Sequence, residues 1–290
     1  MLDLFSSPQA VAVIGASREP EKLGYNVLHN IIQYGYAGHG AVYPINPNAK
    51  EILGLKCYPS VTVVPAPIDL AVIVIPSRHV MGALVECGEK GIKGAVIISA
   101  GFREMGLEGW QREREIVDVA RRYGMRLLGP NCLGLIDTIA KLNASFAVGM
   151  PKQGTIALMS QSGALCTSIL DMALADEVGF SRFISLGNKA DLDEVDFIEE
   201  WADDPYTRVI IAYLEGIAKG TEFMALRIRE LAKAHGVPVI ENKPLARVLY
   251  RQVKVGQMIP GEFYKAVAEV LVFVYLLKQR KKARAERRYI

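Results

Sequence analysis

Two short segments of this chain combine residue types that suit phosphate binding. In the first, the apolar run Val11 to Ile14 ends in Gly15-Ala16-Ser17-Arg18, with Lys22 close behind. In the second, Thr155 to Met159 ends in Ser160-Gln161-Ser162-Gly163. Each reads as a buried strand that stops in small residues and passes into a helix. The first N–H groups of a helix have no partner within it, and the aligned peptide dipoles place partial positive charge there, so an anion is favoured. Ser17, Arg18 and Lys22 add a hydroxyl and two cations to the first turn. Two such turns suggest a phosphate-rich ligand and a second phosphate to be handled.

Other reactive side chains read as structural. Cys57, Cys87, Cys132 and Cys166 lie far apart with no paired spacing, which argues against zinc and against a disulfide framework. Cys132 is expected as a buried thiol beside a tight Asn131-Cys132 turn rather than a nucleophile, since no histidine is near it in sequence. The four histidines lack a base or an orienting partner at a suggestive spacing. His29 falls within a helical stretch, His39 in a Gly-flanked turn, and His79 at the start of the helix after Pro76-Ser77. His235, before Gly236, suits a helix C-terminus. No metal is expected.

The elements that must position the two turns alternate along the chain. Up to about Gly134, the β-branched runs Val11 to Gly15, Ala41 to Ile45, Leu70 to Ile75, Gly94 to Ser99 and Arg126 to Leu128 are separated mostly by amphipathic segments. These are Tyr25 to Tyr34, His79 to Lys90 and Glu108 to Tyr123. Near-continuous apolar strands between helices predict a parallel sheet covered on both faces, a doubly wound domain of Rossmann type. A second alternation predicts strands at Thr155 to Met159, Phe183 to Leu186, Val209 to Leu214 and Val237 to Ile240. Its helices are Gly163 to Ala175, Glu194 to Ala202 and Glu222 to Ala234, a flavodoxin-like arrangement. Past Pro244, two helical stretches follow, Leu245 to Tyr250 and Glu262 to Leu277.

The first turn does not fit a dinucleotide. It offers Gly15-Ala16-Ser17 and then Gly24 rather than G-x-G-x-x-G, and the second strand ends in Ile45-Asn46-Pro47 where an acidic residue would hold ribose hydroxyls. The chain of 290 residues is 51% hydrophobic and 22% charged, an ordinary composition for a protein with a real core. The start, Met1-Leu2-Asp3-Leu4-Phe5, shows no targeting pattern, and Val270 to Leu277 is too short to span a bilayer, so a cytoplasmic location is expected. Seven Lys or Arg between Lys278 and Arg288 stand against Glu286 alone. That tail holds +6 while the whole chain holds +3, so the remainder is −3 and a nucleic-acid-binding surface is not expected.

Five strings then resemble the α part of ADP-forming acyl-CoA synthetases, relatives of succinyl-CoA ligase: VAVIGASREPEKLGYNVLHNI, YPINPNAKEILGLKCYPSV, ISAGFREMG, GPNCLG and SQSGAL. The resemblance runs from about residue 5 to about Gly216 and implies coenzyme A as the ligand of the first domain. It implies that the pyrophosphate and ribose phosphate meet Gly15, Ala16, Ser17, Arg18 and Lys22, while Asn46 and Pro47 close the second strand. Ile98, Ser99 and Ala100 would line the pantetheine arm, and the turn Gly129 to Gly134, with Asn131, would sit where the thiol emerges. Asn48 stands where many members carry Lys. In the second domain, Ser160, Ser162 and Gly163 match a helix start that faces a phosphohistidine, and Glu215 matches the glutamate that holds its imidazole.

The histidine that family places after the next strand has no counterpart here. Instead, the segment from Ala218 to about Lys278, with VPVIENKPLARVLY at its densest, resembles the cytoplasmic C-terminal region of flagellar and type III export-apparatus switch proteins. Their Asn-Pro-Thr-His cleavage motif is absent, so self-cleavage is not expected. The domains expected are residues 1–145 for coenzyme A binding, 146–243 for the flavodoxin-like unit, and 244–290 for a helical extension with a basic tail. Three functions stay open at this point. The first is a coenzyme A or acyl-CoA binding protein that lacks the phosphohistidine loop and the ATP-grasp domain. The others are a ligase α subunit active with an ATP-grasp β partner and a protein that docks on export-apparatus components.

Overall fold

The structure of the protein, a computed structural model, describes residues 2–214 and Glu230. The first half runs α1 (Asp3–Ser6), β1 (Ala10–Ile14), α2 (Leu23–Gln33), β2 (Ala41–Ile45), a small hairpin of β3 (Glu51–Ile52) and β4 (Leu55–Lys56), β5 (Leu70–Ile73), α3 (Ser77–Lys90), β6 (Gly94–Ile97), α4 (Leu107–Tyr123) and β7 (Arg126–Leu128). The five long-range strands form a parallel sheet in the order β2-β1-β5-β6-β7. Strand β1 is buried throughout, because both faces of the sheet are covered. Val11 and Val13 pack with Val27, Leu28 and Ile31 of α2. Ala12 and Ile14 pack on the other side, with Val80 and Leu84 of α3 and Ile116 of α4. The period-two alternation of a strand thus serves two apolar layers at once. The chain leaves β1 toward β2 and then crosses to β5 on the opposite side. Strand order reverses there, and in sheets of this kind ligands bind beyond the carboxyl ends of the strands at such a point.

The second half runs β8 (Gly134–Asp137), β9 (Leu142–Ser145), β10 (Gln153–Ser160), α5 (Gly163–Ala175), β11 (Phe180–Ser185), α6 (Glu194–Ala202) and β12 (Val209–Tyr213). Its sheet has the order β12-β10-β11-β8-β9, parallel across the first three and antiparallel from β11 to β9. The antiparallel pair β8 and β9 was not among the expected strands, and it joins the second sheet through β11. Their inward positions include the buried polar residues Asp137, Asn143 and Ser145, which hide the apolar strand pattern. By strand pairing, the change of sheet falls within the Gly129 to Leu133 turn. The expected strand Val237 to Ile240 and the stretches Leu245 to Tyr250 and Glu262 to Leu277 lie outside the described residues. So does the helix Glu222 to Ala234, apart from Glu230, which is helical.

Helix α2 serves both sheets. Its buried Asn30 donates through Nδ2 to the carbonyls of Ser145 and Ala147, each at 2.8 Å, where β9 runs out. Both amide hydrogens are thereby satisfied in an interior where an unpaired donor would cost about 1–3 kcal/mol. The apolar cluster under α2 is continuous with Leu135, Ala144, Met159, Ile184 and Trp201 of the second sheet. Among the described residues, no helix is long and apolar enough to cross a membrane.

Candidate functional site

The first phosphate turn sits at the switch point. Gly15 has φ +92, and its N–H donates to the carbonyl of Ile45 at 3.0 Å. A Cβ built there would strike the carbonyl oxygen of Val74 and the side chain of Ile75, so both the left-handed backbone and the space require glycine. Ala16 is fully buried and Ser17 nearly so. Asn46 Nδ2 donates to the Ala16 carbonyl at 2.8 Å, and its Oδ1 accepts from the N–H of Asn48 at 2.8 Å. Asn46 therefore ties the end of β2 to the turn after β1. The Ser17 hydroxyl accepts from the N–H of Glu19 at 3.0 Å. The N–H groups of Ala16, Ser17 and Arg18 have no partner among the described residues. Helix α2 begins at Leu23 with no side-chain cap, so its positive end is left to other ligands. Arg18 and Pro47 are exposed. Lys22, also exposed, pairs with Glu19 at 2.7 Å, so its charge is shared.

Further along the same sheet edge lie the ends of β6 and β7. The Ser99 hydroxyl donates to the Ile75 carbonyl at 2.5 Å and accepts from the Ile75 N–H at 3.2 Å, stitching β6 to β5. Ile98 is buried and Ala100 is exposed beyond it. The N–H of Asn131 donates to the Ser99 carbonyl at 3.0 Å. Asn131 has φ +55, next to the cis peptide between Gly129 and Pro130. The structure thus arranges Gly15 to Ser17, Asn46, Ser99 and Asn131 along one rim of connected strand ends.

The second turn lies at the end of β10, and a chain of contacts joins it to that rim. The Ser160 hydroxyl accepts from the Ser162 N–H at 3.0 Å, and the Ser162 hydroxyl caps α5 by accepting from the Leu165 N–H at 3.3 Å. Gly163 has open space where a Cβ would stand. The Ser160 carbonyl accepts from Leu186 at 2.8 Å, and Asn188, two residues on, donates its N–H to the Pro130 carbonyl at 2.8 Å. The Gln161 N–H donates to the Tyr213 carbonyl at 3.0 Å, so the end of β12 lies beside the turn. Glu215 lies outside the described residues.

Burial pushes the thiols of Cys132 and Cys166 up to about 12, so both stay protonated and inert near neutrality. All four cysteines are buried and unpaired. His29 stacks on Tyr25 with ring centroids 5.6 Å apart, and His79 accepts from Arg78 Nε at 3.1 Å. His39 is exposed, and His235 lies outside the described residues. Among the described residues, no group of three or more His, Cys, Asp or Glu could hold a metal. Sequence reasoning named Gly24 in the first turn without its role and missed Glu104 and Asn188. Their roles arise from contacts between distant segments, and only the small residue at Gly24 gave a local signal.

Comparison with known proteins finds three families along the chain. Residues 9–138 match the family described as CoA binding domain, and residues 153–244 match the succinyl-CoA ligase like flavodoxin domain. Residues 216–274 match the FlhB HrpN YscU SpaS family. The α subunit of acetate–CoA ligase [ADP-forming] II from Pyrococcus furiosus is 49% identical over 245 residues, 84% of this chain and 51% of that subunit. The chain thus spans about half the length of that relative. The dinucleotide forming acetyl-coenzyme A synthetase 1 of Ca. Korarchaeum cryptofilum, solved with phosphate and ADP, superposes with a TM-score of 0.76 at 38% identity. That match covers 90% of this chain and 60% of that one. The flagellar biosynthetic protein FlhB of Bacillus subtilis is 46% identical over 82 residues, 28% of this chain and 20% of FlhB.

Proposed function

The first two domains match, in order, those of the α part of ADP-forming acyl-CoA ligases, and from that premise we propose that the protein binds coenzyme A and acyl-CoA on this scaffold. One observation carries the reading. The Gly15 turn stands at the switch point with free N–H groups, an uncapped helix and no acidic residue at the end of β2. Pyrophosphate and ribose phosphate are taken to meet Gly15, Ala16, Ser17, Arg18 and Lys22, with Asn46 and Pro47 shaping the edge. The pantetheine arm is taken to pass Ile98, Ser99 and Ala100 to the thiol position at Asn131. Calorimetric titration of the full chain with coenzyme A tests this, and no binding at millimolar ligand would overturn it.

In the same reading, Ser160, Ser162 and Gly163 bind a second phosphate, with Glu215 placed to hold a phosphorylated imidazole. A nitrogen nucleophile carries phosphate to an acyl group and gives it up readily. None of the four histidines in the sequence matches that position, so an ATP-grasp β-type partner would supply it. Coenzyme A is then a substrate: its thiol sulfur attacks the carbonyl carbon of the acyl phosphate, loses its proton and forms the thioester as inorganic phosphate leaves. Incubation with labelled ATP, an acid and a candidate β subunit should give acyl-CoA; its absence with every candidate would leave the chain as a binding protein alone.

A second reading concerns the C-terminal region, favoured by the match of residues 216–274 to the FlhB HrpN YscU SpaS family. That region would dock on export-apparatus components. Pull-down with export-gate cytoplasmic domains should succeed with the full chain and fail when residues 244–290 are deleted.

A further inference from the structure

Asn188 follows β11 of the second sheet, yet its polar atoms bond to the first domain. Its Nδ2 donates to Glu104 Oε2 and to Glu113 Oε2, each at 2.8 Å. Its Oδ1 accepts from Asn131 Nδ2 at 3.4 Å, and its N–H donates to the Pro130 carbonyl at 2.8 Å. Glu104 uses its other oxygen to accept from the N–H groups of Gly101 at 2.5 Å and Phe102 at 3.0 Å, gripping the loop beyond Ala100. Glu113 is 4% exposed and is held by Arg103, whose Nε lies 2.6 Å from Oε1. Burial works to raise the Glu104 carboxyl, but the bonds from Asn188, Phe102 and Gly101 outweigh it and hold the group below its ordinary range. The carboxylate is therefore charged and fixed near neutrality.

We infer that Asn188 is a positioning residue for the thiol end of coenzyme A. One amide from the second domain sets two walls of the first, the Gly101 and Phe102 loop through Glu104, and Asn131 directly. The inference rests on the coenzyme A reading above. The nucleotide end is held differently, by Gly15 against Val74, by Asn46 on Ala16 and by the start of α2, none of which bonds to Asn188. Loss of Asn188 should therefore be felt by a ligand that reaches Asn131 and not by one that stops at the phosphates.

The test titrates the full wild-type chain and Asn188→Ala with coenzyme A and with adenosine 3′-phosphate 5′-diphosphate, the same nucleotide without pantetheine. The expected result is roughly a tenfold loss of coenzyme A affinity, ~1.4 kcal/mol, with nucleotide affinity unchanged. Equal losses for both ligands, or no loss for coenzyme A, would overturn the inference while leaving the coenzyme A reading intact. Wild-type protein that binds neither ligand would remove both. Should Asn188→Ala fail to fold by circular dichroism, Glu104→Ala, on an exposed side chain, must show the same selectivity, and an unselective loss there overturns the proposal equally.

Discussion

Gly24, in the first turn of α2, lies so close over the carbonyl oxygen of Gly15 that no Cβ fits between them. The loop after β1 is thus closed from above by the helix it leads into, from beside by Val74, and from below by the bond to Ile45. Its free N–H groups are consequently fixed in direction before any ligand arrives, which lowers the ordering cost of binding.

That closure makes Gly15→Ala a severe change. The left-handed backbone costs about 1 kcal/mol or more for an L side chain, and the collision is with backbone that cannot swing away. Coenzyme A affinity should fall at least about tenfold, with a melting temperature several degrees lower. Gly163→Ala meets nothing, so titration and melting should both match wild type. Equal damage from the two changes would show that the first turn has no special role.

Asn46→Ala removes the bonds to Ala16 and Asn48 without touching the sheet. Each such bond contributes about 1 kcal/mol, so coenzyme A should bind roughly five- to tenfold more weakly while circular dichroism stays unchanged. Unaltered affinity by calorimetry would mean that the turn is held without Asn46.

The strands and helices that carry this site were legible because apolar runs and amphipathic segments reported the layers directly. β2, β7, α5 and α6 fall on the residues expected of them. The pair β8 and β9 was not legible, because Asp137, Asn143 and Ser145 are polar yet buried, with Asp137 set against Arg182 of β11. At the site, glycine and serine announced both turns. Lys22, expected on phosphate, pairs with Glu19, a contact the sequence did not announce. Asn188 had no signal in its own segment, since every partner of its side chain lies more than fifty residues away.

Asp137 predicts a pH effect. Burial, offset in part by Arg182 2.9 Å away, raises its carboxyl to about 6, with Asp204 on the far side of the guanidinium. An unfolded aspartate titrates near ~3.9, so between the two values the unfolded chain ionises while the folded one stays protonated. Stability from this group is full below the unfolded value and is lost as pH rises through the folded one. Unfolding in urea should give about 1 kcal/mol less stability at pH 7.5 than at pH 5. Asp137→Asn should remove that difference, and an undiminished slope would assign it to other groups.

The buried thiols make a chemical prediction. With Cys87, Cys132 and Cys166 each pushed up to about 12 by burial, native protein should react with a disulfide reagent far more slowly than unfolded protein. Four thiols should be released in denaturant. Rapid reaction of Cys132 in the native state would instead mark it as a nucleophile.

The seam between α2 and β9 bears on how such a chain can be inherited. Asn30 commits the first domain to carbonyls at Ser145 and Ala147, so residues 134–147 cannot be exchanged apart from the helix that caps them. The FlhB-like match begins at residue 216, after β12 has joined its sheet and past every partner of α2 described here. A C-terminal segment that changes from that point takes none of these contacts with it, so the two sheets keep the bonds that join them.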